Sequence, residues 1–318
     1  MSINNIKKYL YVSVTVAISL SLLKIAYGSL DWDYLINQLP EISKTYLALS
    51  ILTLITAYFL RIKRWQSILK SELSSLALGK LTPPYFISFA LNNLLPLRAG
   101  DIYRSCSLLN VNASIPLVAS TIIVERVFDL IILLLSFVAF IILFEIYTTD
   151  LVLKVWDFLA YISIATITIT IIFIFLSHKK FKTRLLKSLK NLIVYIFKKV
   201  WEITSGDNLL AIFSYSLLAW FFEALSYYFV ASSLPSISNR ISSFFAFSIG
   251  TLSTLIPSSP GYAGTFDFFT IHAMELLGNN YQSSAIFALV IHFVLWLPIT
   301  LIGFLFLITK ILRKKIEK

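Results

Sequence analysis

Arg98, Asp101 and Arg104 follow Pro96 closely, and Glu125, Arg126 and Asp129 sit in a long apolar run a little further on. On a helix, Glu125 and Asp129 share one face at i, i+4, a like-charge pair that is unfavourable without a cation. Arg98 or Arg104 could supply that cation. The planar guanidinium fork also matches phosphate geometry and stays charged at any accessible pH. Gly100, between the two arginines, would let backbone N–H groups approach the same anion where a half-helix begins. Two chemistries are therefore open: a structural network of Arg–carboxylate pairs, or a site for a phosphate-bearing anion. Both readings can hold for different residues.

A second set lies near the C-terminus. Pro257 to Gly264 is rich in small residues and in glycines tolerant of unusual backbone angles, and Asp267, His272 and Glu275 follow it. Ser258, Ser259 and Thr265 could hydrogen-bond a substrate or cap helix ends, with Gly261 and Gly264 shaping the break. Glu223 and His292 fall inside apolar runs, where each either couples proton movement or packs with a satisfied partner.

The elements that must position these residues are membrane helices. Of 318 residues, 58% are apolar and 14% charged, and the mean hydropathy is +0.83; a globular domain is about 45–50% apolar. Crossing a ~30 Å hydrocarbon layer takes about 20 helical residues. Runs of that kind occupy 9–27, 42–60, 121–143, 155–176, 209–231 and 283–309. The first is expected to stay as an anchor, since no small-residue cleavage site follows it.

The net charge of +11 reads as topology, with no nucleic-acid partner expected, because the basic residues fall in stripes between the spans. Lys7 and Lys8, Arg61 to Lys80, Lys179 to Lys199 and Lys310 to Lys318 alternate with loops carrying Asp31, Asp33, Glu41, Glu145, Asp150 and Asp157. The positive-inside rule then places both termini and the 178–208 connector in the cytoplasm. Within that connector, Leu185, Leu186, Leu189, Ile193 and Ile196 recur at helical spacing among lysines, as in an interfacial amphipathic helix. Trp32, Trp65, Trp156 and Trp201 lie near expected membrane boundaries, where aromatic belts form.

Two apolar stretches, 83–110 and 241–278, are interrupted by Pro, Gly and polar residues. Each fits a helix that enters the membrane, breaks and leaves on the same side, tolerable only where protein or a wet cavity satisfies the backbone. An offset of 161 residues pairs Phe86 with Phe247, Leu94 with Leu255, Pro96 with Pro257 and Gly100 with Gly261. A span precedes and follows each break, and the charge stripes give the halves opposite orientations. The expected fold is all-α: a single membrane domain over 1–318, with about six full spans and two re-entrant segments. Its halves, 42–145 and 209–309, form an inverted repeat, an arrangement that puts a transporter's site at the repeat interface.

Catalytic patterns are sparse. The sequence has no P-loop, no His-Glu-x-x-His, no G-x-S-x-G and no Asp-x-x-Asp pair of the magnesium-binding kind. Its single cysteine, Cys106, rules out an intrachain disulfide and a cysteine metal cage. No catalytic residue, metal or cofactor is expected.

The segments Asn93-Leu-Leu-Pro-Leu-Arg-Ala-Gly-Asp101 with Arg104, Glu125-Arg126 with Asp129, and Pro257-Ser-Ser-Pro-Gly-Tyr-Ala-Gly-Thr-Phe-Asp267 together resemble a known family. It is the flippase-like transmembrane region of lysylphosphatidylglycerol synthases, which also occurs as stand-alone proteins of this length. The resemblance runs from the first span to the last and implies a multi-pass bundle with re-entrant helices that handles lipids. In full-length synthases this region moves the aminoacylated lipid, and a separate soluble domain performs aminoacyl transfer. About nine residues follow Thr309, so lysyl transfer is not expected. Tyr262 stands where the family often has glycine and Asp267 where glutamate is common, departures that bear on the substrate.

The leading expectation is a flippase-like protein that binds and translocates a phosphate-bearing lipid with an aminoacylated, glycosylated or isoprenoid character. Arg98, Arg104 and Arg126 would neutralise phosphate, while Glu125, Asp129 and Asp267 balance or select charge. Two alternatives come from other classes. One is an intramembrane transferase on a polyprenyl-phosphate or phospholipid donor, with Asp101 or Glu125 as base or metal ligand. The other is a non-transporting subunit that scaffolds a cell-envelope biosynthesis enzyme.

Overall fold

The computed structural model describes residues 16–70, 73, 76–95, 98–109, 113–146, 157, 168, 184–205, 208–255 and 259–316. The described residues form helices and no strand. In chain order these are α1 (Val16–Tyr27), α2 (Trp32–Gln38), α3 (Lys44–Leu69), α4 (Leu78–Leu94), α5 (Ala99–Ser107) and α6 (Ile115–Leu143). After a gap come α7 (Arg184–Ser205), α8 (Leu209–Ser233), α9 (Ser242–Ser253), α10 (Thr265–Leu276) and α11 (Tyr281–Ile316). Helices α3, α6, α8 and α11 are each long and apolar enough to cross a membrane. The expected span at 9–27 is described only from Val16, as α1, and the one at 155–176 lies almost wholly outside the described residues.

The interior is apolar as in a water-soluble protein, but the exterior is apolar too and several charges are buried. Leu143, Leu210 and Leu305 are exposed, whereas Arg64 and Arg104 are each only 1% exposed. Such an arrangement is stable where the surroundings are hydrocarbon and the interior satisfies the polar groups. Exposed Val194, Phe197 and Trp201, spaced by three and four, give α7 an apolar strip. On its polar side Glu202 accepts from Lys199 Nζ at 2.8 Å, and that bond holds the carboxyl below its usual range.

Both interrupted stretches are broken hairpins. Leu95 ends α4 in an extended conformation, as the residue before a proline prefers, and Arg98 then takes a left-handed turn (φ 52°) that starts α5. In the second break, Gly261 and Gly264 have φ of 71° and 85°, angles open to glycine at little cost. Asp267 Oδ2 accepts from the Gly264 N–H at 2.8 Å and fixes the start of α10.

The long helices pack by exchange between halves. Helices α3 and α8 run antiparallel along their length: the Ser43 N–H donates to the Ser233 carbonyl (2.9 Å), the Ser50 and Ser226 hydroxyls meet at 2.8 Å, and Arg64 reaches the Ser216 hydroxyl (3.1 Å). Small residues allow this close approach, as in other membrane bundles. The first hairpin's α4 packs on α11, where a Cβ added to Gly303 would meet the Phe86 carbonyl at 2.5 Å. The second hairpin's α9 packs on α6, with Phe137 stacked on Phe245.

Two expectations are corrected here. Arg61 and Arg64 are not part of a boundary stripe, because α3 continues to Leu69 and carries both into the bundle. Trp65 is fully buried rather than interfacial, and its Nε1 donates to Thr121 Oγ1 at 3.0 Å.

Candidate functional site

Between the two hairpins lies a cavity of about 360 Å³ bounded by α3, α4, α6, α8 and both breaks. Its polar wall is made by Arg61, Arg64, Arg98, Glu125, Arg126, Asp129 and Glu223, and its apolar wall includes Phe89, Leu133 and Phe266. Helical periodicity explains the wall. Arg61 and Arg64 are a turn apart on α3, as are Glu125 and Asp129 on α6, so each helix turns two charges to one side.

Most of these charges are matched. Arg64 grips Asp129 with both terminal nitrogens (2.6 and 3.3 Å), and Trp220 Nε1 adds a bond to Oδ1 at 2.9 Å. Arg61 pairs with Glu223 at 2.6 Å, its guanidinium 4.4 Å from the Trp220 ring. Arg104 pairs with Glu125 at 2.6 Å and lies about 5 Å from the rings of Trp65 and Tyr85. Arg126 meets Asp101 at 3.3 Å. Glu125 and Asp129 thus take separate arginines instead of sharing one. Arg98 differs: it lines the cavity and has no ion pair among the described residues. Several buried donors and acceptors, Arg64 Nε, Arg126 Nε and Glu125 Oε1 among them, also have no partner among the described residues.

The residues singled out from sequence therefore divide. Arg98, Glu125, Arg126, Asp129 and Gly261 line the charged cavity. Asp101 and Arg104 stand behind it as partners of Arg126 and Glu125. Gly100 does not offer its N–H to the cavity. That group donates to Asn92 Oδ1 at 2.8 Å, and its Cα face is pressed on the Ser88 carbonyl. Ser259 is held by α1, its N–H donating to Ser19 Oγ at 2.8 Å, and Gly264 packs on Ser19 and Leu23 of the same helix. Ser258 lies outside the described residues.

Asp267 lines a second, mostly apolar cavity of about 460 Å³ that shares Asn93, Gly261, His292 and Trp296 with the first. Tyr27 donates to its Oδ1 at 2.9 Å, and His292 Nδ1 lies 2.8 Å from the same oxygen. Sequence reasoning missed Arg61 and Arg64 as site residues. Their spacing of three on an otherwise apolar helix is the signal that could have found them.

A bundle of long apolar helices closed around a charged cavity defines an integral, multi-pass membrane protein. Residues 12–303 match the family described as the lysylphosphatidylglycerol synthase TM region. The chain belongs to that family. It is also similar to a UPF0104 membrane protein of Methanocaldococcus jannaschii, 26% identical over 216 residues that cover 67% of this chain and 91% of the relative. No solved structure matches the chain. The family connects the protein to lipid handling.

Proposed function

We propose that the protein is a flippase-like transporter of the cytoplasmic membrane, with both termini in the cytoplasm and two inverted halves. A phosphate-bearing lipid headgroup, with or without an aminoacyl, sugar or isoprenoid part, enters the charged cavity between them. Arg98 carries this reading: it is a guanidinium on the cavity wall with no ion pair among the described residues, whereas Arg61, Arg64, Arg104 and Arg126 each have one. A cation in surroundings of low polarity is stabilised by an anion, and phosphate matches the guanidinium fork. In this reading Arg126, whose side chain is 37% exposed, assists. Arg64 and Arg104 hold the wall in shape and meet no phosphate.

The test is lipid translocation in phosphatidylglycerol vesicles, with acyl-labelled anionic and zwitterionic probes and external dithionite as the reporter of sidedness. Arg98→Asn is the variant of choice, since asparagine tolerates the left-handed backbone while removing the guanidinium. A charge-assisted hydrogen bond contributes about 1.5–3 kcal/mol, so anionic-probe transport falls by roughly tenfold to a hundredfold and the zwitterionic rate is unchanged. Equal rates for Arg98→Asn and wild type would remove Arg98 from the site and the reading with it.

A further inference from the structure

His292 sits on α11 where the two cavities touch, and both its ring nitrogens face acceptors. Nε2 is 2.9 Å from the Gly261 carbonyl, and Nδ1 is 2.8 Å from Asp267 Oδ1. A carbonyl oxygen only accepts, so Nε2 carries a hydrogen. A neutral ring then presents a lone pair at Nδ1, and an ionised Asp267 presents lone pairs back. At 2.8 Å that contact is repulsive. The geometry is satisfied only when a proton lies between them, as imidazolium facing carboxylate or as neutral imidazole facing carboxylic acid. Either way the pair holds one proton more than neutral histidine and ionised aspartate.

We propose that the His292–Asp267 pair is a proton-binding site that couples proton occupancy to the position of the 260–262 turn between the two cavities. The inference rests on the transport reading and gives it a coupling ion. With the proton bound, α11 is tied to the turn through Nε2–H and Gly261. Asp267 meanwhile ties α10 to α1 through Tyr27 and caps its own helix through Gly264. When the proton leaves to water, the hydrogen that remains on the ring goes to Nδ1, where its bond to the ionised Asp267 is charge-assisted, and Nε2 turns a lone pair on the Gly261 carbonyl, so the tie on Gly261 is lost. Gly261 and Tyr262 both line the charged cavity, so the same event changes the headgroup's wall. The titratable groups facing the pair are Tyr27, with Tyr281 beyond it. Tyr262, Arg98 and Arg126 share the charged cavity with His292, and Phe266 packs its ring edge on the imidazole.

Asp267→Asn is the discriminating variant, because a carboxamide N–H donates to a neutral Nδ1 while its oxygen still accepts from Gly264. That variant keeps the bonds to Gly261 and Gly264, turns the Tyr27 hydroxyl from donor to acceptor of the second amide N–H, and removes the extra proton. The first readout is solid-state ¹⁵N and ¹³C NMR of the full chain in phosphatidylglycerol-containing bilayers at neutral pH, with His292→Gln identifying the ring signals. An imidazolium, or a neutral ring beside a protonated Asp267 carboxyl, is expected in wild type, and a neutral ring in Asp267→Asn. A neutral ring beside an ionised carboxylate in wild type overturns the proposal.

The second readout is transport of acyl-labelled phosphatidylglycerol across vesicles with a gradient of one pH unit. One proton per cycle biases the two directions by up to about tenfold, and Asp267→Asn abolishes the bias. Transport that ignores the gradient in wild type, or keeps the bias in Asp267→Asn, overturns the coupling and leaves transport standing. If wild type moves no lipid under any condition, the transport reading fails and the NMR result alone decides whether the pair binds a proton.

Discussion

The ion pair between Arg104 and Glu125 should behave as a unit whose halves are worth less than nothing alone. Their side chains are 1% and 3% exposed and meet at 2.6 Å. Arg104→Met keeps the unbranched stem against Trp65 and Tyr85 but strands the Glu125 carboxylate, and removing one partner of a buried pair costs about 3–5 kcal/mol. The lost cation–π contacts add roughly 0.5–2 kcal/mol. Replacing both, as Arg104→Met/Glu125→Met, removes the stranded charge. Arg104 Nε and Nη1 and Glu125 Oε1 have no partner among the described residues, so the pair is incompletely compensated and its exchange for apolar side chains is close to neutral. The double variant should therefore be more stable than either single variant, with a coupling energy of at least about 2 kcal/mol. Equilibrium unfolding in mixed detergent micelles, followed by tryptophan fluorescence, measures the cycle. Single-variant costs that add to within about 0.5 kcal/mol would refute the pairing. A folded double variant that still transports the anionic probe would also assign the pair to structure, resolving the choice that the sequence leaves open.

Two further outcomes follow from packing. Gly100→Ala would place a Cβ 1.7 Å from the Ser88 carbonyl, so the first hairpin must splay; a loss of about 1–3 kcal/mol in the same unfolding assay is expected, and an unchanged midpoint would show that α4 and α5 do not cross there. The antiparallel packing of α3 on α8 puts their N-termini at opposite ends, so Lys44→Cys and Asn208→Cys, each in a Cys106→Ser background, should react with an impermeant thiol reagent from opposite sides of sealed vesicles; labelling of both from one side would contradict the inverted halves.

Much of this architecture is legible in the sequence because hydrocarbon imposes simple rules. Apolar length marked α3, α6, α8 and α11, and Pro or Gly inside an apolar run marked both breaks. The same rules misplaced Arg61, Arg64 and Trp65. A charge normally ends a span, and only the partners Glu223, Asp129 and Thr121, each distant in sequence, make burial of those side chains tolerable. Gly100 was misread for a related reason. Sequence identifies a residue that permits close backbone approach, but whether a ligand or another helix approaches is a tertiary fact. The Asp267–His292 contact is likewise hidden, because it joins α10 to α11 across 25 residues and the loop between them.

A matched ion pair and an unmatched charge have different consequences in a membrane. Desolvating a pair costs several kcal/mol per ion, but mutual attraction returns most of it, so the Arg61–Glu223 and Arg64–Asp129 pairs can hold helices together without drawing in a ligand. Arg98 makes no ion pair among the described residues, its charge reaching only Asp101, which Arg126 already holds, and its side chain lines the cavity. The cavity is therefore left with one guanidinium over, which water alone stabilises less well than an anion does. If the His292–Asp267 pair carries its proton, it adds no net charge, and the surplus belongs wholly to Arg98. If the proton leaves, the pair becomes anionic at the border of the same cavity and cancels that surplus. Anion affinity and proton occupancy then rise and fall together, the relation a carrier needs if a proton gradient is to set the direction of lipid movement.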